Sequence, residues 1–277
     1  MKTPLPYNWN LSPETPFVFG IQCFPEPSDY PSLDLHRSIH LNLVLNGSLT
    51  GKAGNRVFHL RQYDLQITAP WEPHGENRIE KGLRLLSITA DPDLLTGNLI
   101  EYREKALTLF LLDTEERHRI VNTEATLALR SGAASALPGI SGDNPKILKL
   151  RRWLAIQNLL VELLNSIPEK DLPSTPFRLF QKLSGALDLL KAGRHITIKE
   201  AAAACSLSES RFGHLFRQLC RMSFSEYEMR NRLNRAAFLL QHGLPVKTAA
   251  EQEGFYDASH FIRHFQKQFG MTPGKFR

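Results

Sequence analysis

The chain has 277 residues, 42% of them hydrophobic, enough apolar material for two globular domains with separate cores. It contains no run of eighteen apolar residues, and its start MKTPLPYNWN lacks the basic, apolar and small-residue succession of a secretory signal, so the expectation is a cytoplasmic protein without a membrane span. The net charge of +6 is uneven: residues 178–277 hold 16 Lys and Arg against 8 Asp and Glu, whereas residues 1–177 hold 18 against 20, and a basic excess confined to one region marks a polyanion-binding module.

Residues 1–35 are rich in proline and read as an irregular arm with one strand, FVFGIQCF. From Ile39 onward, IHLNLVLNGSLTGKAGNRVFHLRQYDLQITAP alternates apolar with polar residues and is punctuated by Asn46-Gly47, Gly51 and Gly54-Asn55, the pattern of antiparallel strands joined by tight turns. With RLLSITA (84–90) this predicts six to eight strands in a small barrel or sandwich. Beyond Pro92 the pattern turns helical: one helix over 113–130, a loop over 132–145, and a strongly apolar helix over 146–167. That last helix carries Ile147, Leu150, Leu154, Val161 and Leu164 on one face, widened by Trp153, Leu160 and Leu163. It needs a surface to hide against, either the sheet alone or also the same helix of a second subunit. PEKDLPSTP (168–176) reads as an interdomain linker.

The last hundred residues contain an internal repeat. A slide of 49 positions aligns Ala201 with Ala250, Ser210 with Ser259, Phe212 with Phe261, and Phe216 with Phe265. In each copy a small-residue helix leads through a short turn into an amphipathic helix: TIKEAAAAC and ESRFGHLFRQLC, then VKTAAEQE and ASHFIRHFQKQF. Thr197 with Glu200 forms a capping box, and Ser208 and Asp257 cap the second helices. Phe212, Leu215, Phe216 and Leu219, like Phe261, Phe265 and Phe269, fall on a core-facing stripe. The alanines permit the close, steep crossing of a helix-turn-helix. Between the copies, a long helix over 223–243 holds both units as one body and leaves Arg230, Arg232 and Arg235 available outside. Two recognition helices so held fit successive major grooves about 34 Å apart.

GFYDASHFIRHFQKQFGMTPGKFR resembles the C-terminal signature of AraC-type transcription regulators, in which Gly-Phe, Asp, Ser, Phe, Arg, Phe, Lys, Gly, Thr-Pro and a terminal aromatic-Arg pair recur at this spacing. SLSESRFGHLFRQLCRMSFSEY resembles the family's first unit. The resemblance implies an α+β chain: an N-terminal cupin-like antiparallel β-barrel with appended helices for effector binding and dimerisation (1–167), a linker (168–177), and an all-α DNA-binding domain with two helix-turn-helix units (178–277). It implies a sequence-specific, dimeric DNA-binding regulator and no enzyme. Carried over by position, the base readers are Ser210, Gly213 and His214 in the first unit and Ser259, Ile262 and Arg263 in the second, while Arg217, Arg221, Lys247 and Lys267 meet phosphates. Gly213 removes a side chain where relatives place a reader, so the first unit is expected to rely more on shape. Arg221 stands where the family usually has glycine, which implies an altered exit from the first recognition helix and a charge within reach of phosphate.

The resemblance continues, more loosely, into residues 39–76, whose strand, Asn-Gly turn, strand, Asp64 and Pro-x-x-Pro-His74 progression is similar to the family's effector barrel. A barrel mouth is a natural small-ligand site. His40 and Asn42 on the alternate face of their strand, with Arg37, Glu72, His74 and Glu76, suit hydrogen bonds to a polyol or sugar, and Trp71 either stacks on that ligand or fills the core. No metal or other cofactor is expected. The HxH…E spacing of cupin enzymes is absent, and Cys23, Cys205 and Cys220 are isolated, without CxxC spacing. The alternative, a cupin-type metalloenzyme fused to a DNA-binding module, is distinguished by bound metal and turnover. An alkyl-repair sensor requires a cysteine cluster near the amino terminus that Cys23 alone does not supply.

Overall fold

The computed structural model describes residues 11, 14–29, 38–53, 56–70, 72–142, 144–173, 175–191 and 195–276, without the side chains of residues 29, 76, 77, 175 and 191. Arg37, Trp71 and the Glu76 side chain, assigned above to an effector, lie outside this description. The strands are β1 (Phe17–Phe24), β2 (Ser28–Asp29), β3 (Ile39–Asn46), β4 (Leu49–Ala53), β5 (Arg56–Leu60), β6 (Leu65–Thr68), β7 (His74–Ile79) and β8 (Leu83–Ala90). They form two antiparallel sheets, β1-β8-β3-β6 and β2-β7-β4-β5. No ladder joins the two sheets among the described residues, so the expected barrel is an open sandwich. The Asn46-Gly47 step explains part of this. It does not close a hairpin, because β3 pairs with β6 and β8 whereas β4 pairs with β5 and β7, so the chain changes sheets there. Gly47 has φ +82°, and a Cβ at that position would lie 3.1 Å from Leu83 Cα, so the crossing needs glycine.

The alternation of β3 assigns its two faces. Ile39, Leu41, Leu43 and Leu45 point to the helices, in one core with Leu65, Ile67, Leu86 and Ile88. Val44 points between the sheets, where it packs with Leu49, Leu60, Ile79, Leu83 and Leu85. His40 and Asn42 share that inner face.

The helices are α1 (Pro92–Gly97), α2 (Arg103–Leu111), α3 (Thr114–Val121), α4 (Glu124–Ala136), α5 (Pro145–Ser166), α6 (Thr175–Lys191), α7 (Ile198–Ala204), α8 (Glu209–Cys220), α9 (Phe224–Gln241), α10 (Val246–Gln252), α11 (Ala258–Phe269) and α12 (Pro273–Phe276). The single helix expected over 113–130 is two, and the second runs on to Ala136, into the expected loop. The break falls at Asn122, whose amide accepts from Leu65 N–H at 2.8 Å and donates to Leu65 O at 3.0 Å. It thereby satisfies backbone groups of β6, an edge strand. In α5 the expected apolar face is divided. Ile156, Leu159, Leu160, Leu163 and Leu164 are buried on the sheet, Trp153 stacks on Phe17 at 5.2 Å, and Ile147, Leu150 and Leu154 remain 45%, 51% and 57% exposed.

Each C-terminal unit has its own core, and α9 runs through both. The first joins Leu183, Ala186, Leu187 and Leu190 of α6 to Ala201, Phe212, Phe216 and Tyr227. The second joins Leu233, Ala237 and Leu240 of α9 to Ala249, Ala250, Phe261, Phe265, Phe269 and Phe276. In the first unit, a Cβ on Gly185 would collide with Ala204 O, so α6 and α7 pack at a distance only glycine allows. α6 also packs along α2.

Candidate nucleic-acid interface and inter-sheet pocket

The caps place the recognition helices as the sequence predicts. Ser208 accepts from Arg211 N–H, Asp257 accepts from Ser259 N–H, and Thr197 with Glu200 completes a capping box on α7. Burying Phe212, Leu215 and Phe216 turns Ser210, His214 and Arg217 outward on α8. Burying Phe261, Phe265 and Phe269 turns Ser259, Ile262, Arg263 and Lys267 outward on α11, where they line one surface depression with Gln266. Lys247 is exposed on α10 and lies 3.9 Å from Glu251. A Cβ at Gly213 would meet only Ile198 Cδ1, at 3.8 Å, so packing does not demand glycine there. The repeat is not uniform. The recognition helices recur at 49 positions, but their supporting helices recur at 48, so the buried Ala201 and Ala202 correspond to Ala249 and Ala250, not to Ala250 and its successor.

Two arginines expected on the outside of α9 point inward. Arg232 Nε–H donates to Glu253 O at 2.6 Å and its guanidinium lies 4.0 Å from the Phe255 ring centroid. Arg235 Nε–H donates to Glu253 Oε2 at 2.7 Å and sits 3.9 Å from Glu228, which in turn bonds His195 at 2.6 Å. Burial pushes the Glu228 carboxyl up, against the pull of His195 and Arg235. The network links the segment before α7 to the end of α10 through α9, so the two units are braced together by polar groups that include two arginines expected to face outward. Arg230 pairs with Glu226 at 2.8 Å.

Arg221 keeps the left-handed helix exit (φ +58°) despite not being glycine, so the expected change in geometry does not occur. It lines a cleft of about 630 Å³ between the N-terminal sheet and the C-terminal helices, with Lys52, Arg56, Glu72, Glu226 and Arg230.

Between the sheets, His40 lies opposite Thr68 and Thr89, and Asn42 opposite Gln66 and Ser87, so the inner face becomes polar beyond Val44. His40, Asn42, Thr68 and Thr89 are all buried. Asn42 Oδ1 and Thr68 Oγ1 have no hydrogen-bond partner among the described residues. His74 completes the row, its ring edge-on to His40 with centroids 4.8 Å apart. Glu72, expected beside it as a ligand group, serves the framework instead. Its carboxylate takes Ala69 N–H at 2.9 Å, the Thr114 hydroxyl and the buried Arg117 guanidinium. Arg117 also donates to Ile67 O, Phe110 O and Leu112 O at 2.6–2.8 Å.

His74 Nδ1 lies 2.7 Å from Glu72 O, and because a carbonyl only accepts, that nitrogen carries the proton and Nε2 is the acceptor. Burial pushes its pKa down to about 4; the bond to Glu72 O opposes this and the Arg117 charge adds to it. Because the unfolded value is near 6.5, the unfolded chain binds this proton first as pH falls. His74 should therefore leave stability intact above pH 6.5 and remove it progressively from pH 6.5 to about 4, on the order of 3 kcal/mol in all. Denaturation across that window should show the slope in wild type and a flatter profile in His74→Gln; identical profiles would contradict the assignment.

Among the described residues no helix is long and apolar enough to cross a membrane, and no group of three His, Cys, Asp or Glu is placed to hold a metal.

Residues 201–277 match the model of a helix-turn-helix domain family. The arabinose operon regulatory protein of Salmonella typhimurium is 36% identical over 87 residues, covering 31% of this chain and 31% of that protein. The protein of the same name from Escherichia coli is 31% identical over 123 residues, 44% of this chain and 42% of its own length. The matched region thus spans less than half of these curated relatives. A solved structure of ToxT from Vibrio cholerae superposes with a TM-score of 0.59 at 10% identity, over 94% of this chain and 97% of that one. A structure of ToxT bound to an unsaturated fatty acid does so with a TM-score of 0.57 at 10% identity, over 94% of each chain. At such identity the likeness is one of fold, N-terminal antiparallel sheets followed by a helical domain.

Proposed function

We propose that this chain, whose residues 201–277 belong to the AraC-type helix-turn-helix domains, is a DNA-binding transcription regulator controlled by a small molecule. The observation that carries the reading is the pair of outward polar faces on α8 and α11, held on one body by α9 and the His195–Glu228–Arg235–Glu253 network. Ser210, Gly213 and His214 are assigned to base edges in one groove, Ser259, Ile262 and Arg263 to those in the next, and Arg217, Lys247 and Lys267 to phosphates. Arg221 lines the cleft toward the N-terminal sheet in this arrangement, so its phosphate contact belongs to a state in which the cleft has opened. Residues 178–277 then act as the DNA-binding domain, 168–177 as the linker, and 1–167 as the sensing and dimerising domain.

The effector is assigned to the inter-sheet row of His40, Asn42 and His74. ToxT has been solved with a fatty acid, but here Asn42 Oδ1 and Thr68 Oγ1 favour a ligand with hydroxyl groups, such as a sugar, because an alkyl chain would leave both buried oxygens unsatisfied. The exposed Ile147, Leu150 and Leu154 of α5 recur at i, i+3 and i+7, a spacing suited to the same helix of a second subunit. Ligand would shift the population between domain arrangements that do and do not present all recognition helices to DNA. The test is selection of duplexes from a random pool by wild type and by Arg263→Ala. The variant should relax preference at one base pair by about 1–3 kcal/mol, whereas equal loss at every position would remove Arg263 from the readers.

A further inference from the structure

The mismatch between the 48- and 49-residue spacings falls in the turn of the second unit. Leu207 N–H donates to Ala202 O and Phe255 N–H to Ala250 O, both at 2.9 Å, so Leu207 and Phe255 are equivalent. Both follow a residue of positive φ, Ser206 (+55°) and Gly254 (+71°). In the first unit the cap Ser208 comes next; in the second, Tyr256 intervenes before the cap Asp257. This additional residue is 105% exposed, more than any other large apolar or aromatic side chain among the described residues. The residues just before it are held in place: Arg232 donates to Glu253 O at 2.6 Å and covers the Phe255 ring, which is buried. Tyr256 also borders the N-terminal end of α11, the helix that carries Ser259, Ile262 and Arg263. Lys267, Arg263 and Ser259 descend α11 at intervals of four toward its N-terminus, and Tyr256 stands three residues further on, just ahead of the cap.

A recognition helix enters the major groove with its N-terminal residues toward the base edges, so a group just ahead of the N-cap meets the strand bordering the groove. A phenol there has an O–H to donate and an apolar ring to lay against deoxyribose. On the premise of the DNA-binding reading, we propose that Tyr256 is a positioning residue for DNA, its hydroxyl donating to a phosphate oxygen beside the groove that α11 enters.

The test measures affinity of the full chain for its selected duplex and for single-base variants of it, across a range of salt, for wild type, Tyr256→Phe, Tyr256→Ala and Arg263→Ala. Tyr256→Phe is expected to lose about tenfold, Tyr256→Ala at least as much, and by the same factor on every duplex. The salt slope should not change, because no cation leaves the interface. The melting temperature should also stay constant, because the side chain is fully exposed. Wild-type affinity in both Tyr256 variants beside an impaired Arg263→Ala would overturn the contact and leave the DNA-binding reading standing. Full affinity in Tyr256→Phe alone would overturn the hydroxyl bond, and a loss confined to one base-pair substitution would make Tyr256 a base reader. If wild type itself does not prefer the selected duplex to unrelated DNA, the reading fails and the proposal with it.

Discussion

Arg117→Ala is expected to destabilise the N-terminal sandwich by about 3–5 kcal/mol, although Arg117 sits on a helix whose other charged residues face solvent. The side chain is 1% exposed and joins three separate parts of the fold: Ile67 near the end of β6, the carbonyls of Phe110 and Leu112 at the C-terminal end of α2, and Glu72 in the loop before β7. Truncation takes a donor from three carbonyls and leaves a largely buried carboxylate without its counter-charge, with only Ala69 N–H and the Thr114 hydroxyl among the described residues to satisfy it, the costly way to break a buried ion pair. Removing both charges is different. Arg117→Met with Glu72→Gln should recover much of the loss, because the desolvation penalty goes with the charges. Urea denaturation followed by circular dichroism measures both. A cost below about 1 kcal/mol for Arg117→Ala would show that the guanidinium is not the tie described here.

Phe265→Ala should abolish DNA binding without removing any group that faces DNA. Phe265 is fully buried, and its ring meets Phe261, Phe269 and Phe276 at centroid distances of 5.4, 4.4 and 5.2 Å. Those rings come from both ends of α11 and from α12, so one truncation opens a cavity at the centre of the second unit. Such truncations cost about 3–5 kcal/mol, a large part of the 5–15 kcal/mol that holds a typical domain. Phe265→Leu, which keeps most of the volume, should lose far less. The check is a denaturation midpoint beside the affinity for the selected duplex: both should fall together in Phe265→Ala. Retained binding with a lowered midpoint would mean that α11 does not depend on this core.

Much of the C-terminal half was legible because its signals are local. The 3.6-residue aromatic stripe and the caps Thr197, Ser208 and Asp257 each fix a helix or its start. β3 was legible for the same reason, through its alternation. What escaped depends on partners distant in sequence. Arg232 and Arg235 read as solvent-facing charges and Arg117 carried no local signal; only the tertiary fold brings Glu253 and Glu72 to them. Asn122 breaks the expected long helix by bonding Leu65, 57 residues away. The Asn46-Gly47 pair has hairpin chemistry, but β3 finds its partners in β6 and β8. The extra Tyr256 was hidden by the run Ala201–Ala204, which matches the second copy at a slide of 48 or of 49.

The central claim is that two helix-turn-helix units of one chain read DNA as a single body. Selection of duplexes from a random pool at two salt concentrations tests it most directly. The expected result is a two-part motif whose segments lie about one helical turn apart, with binding lost when about half a turn is inserted between them. A motif of one segment only, or binding that fades with salt without any motif, would contradict it.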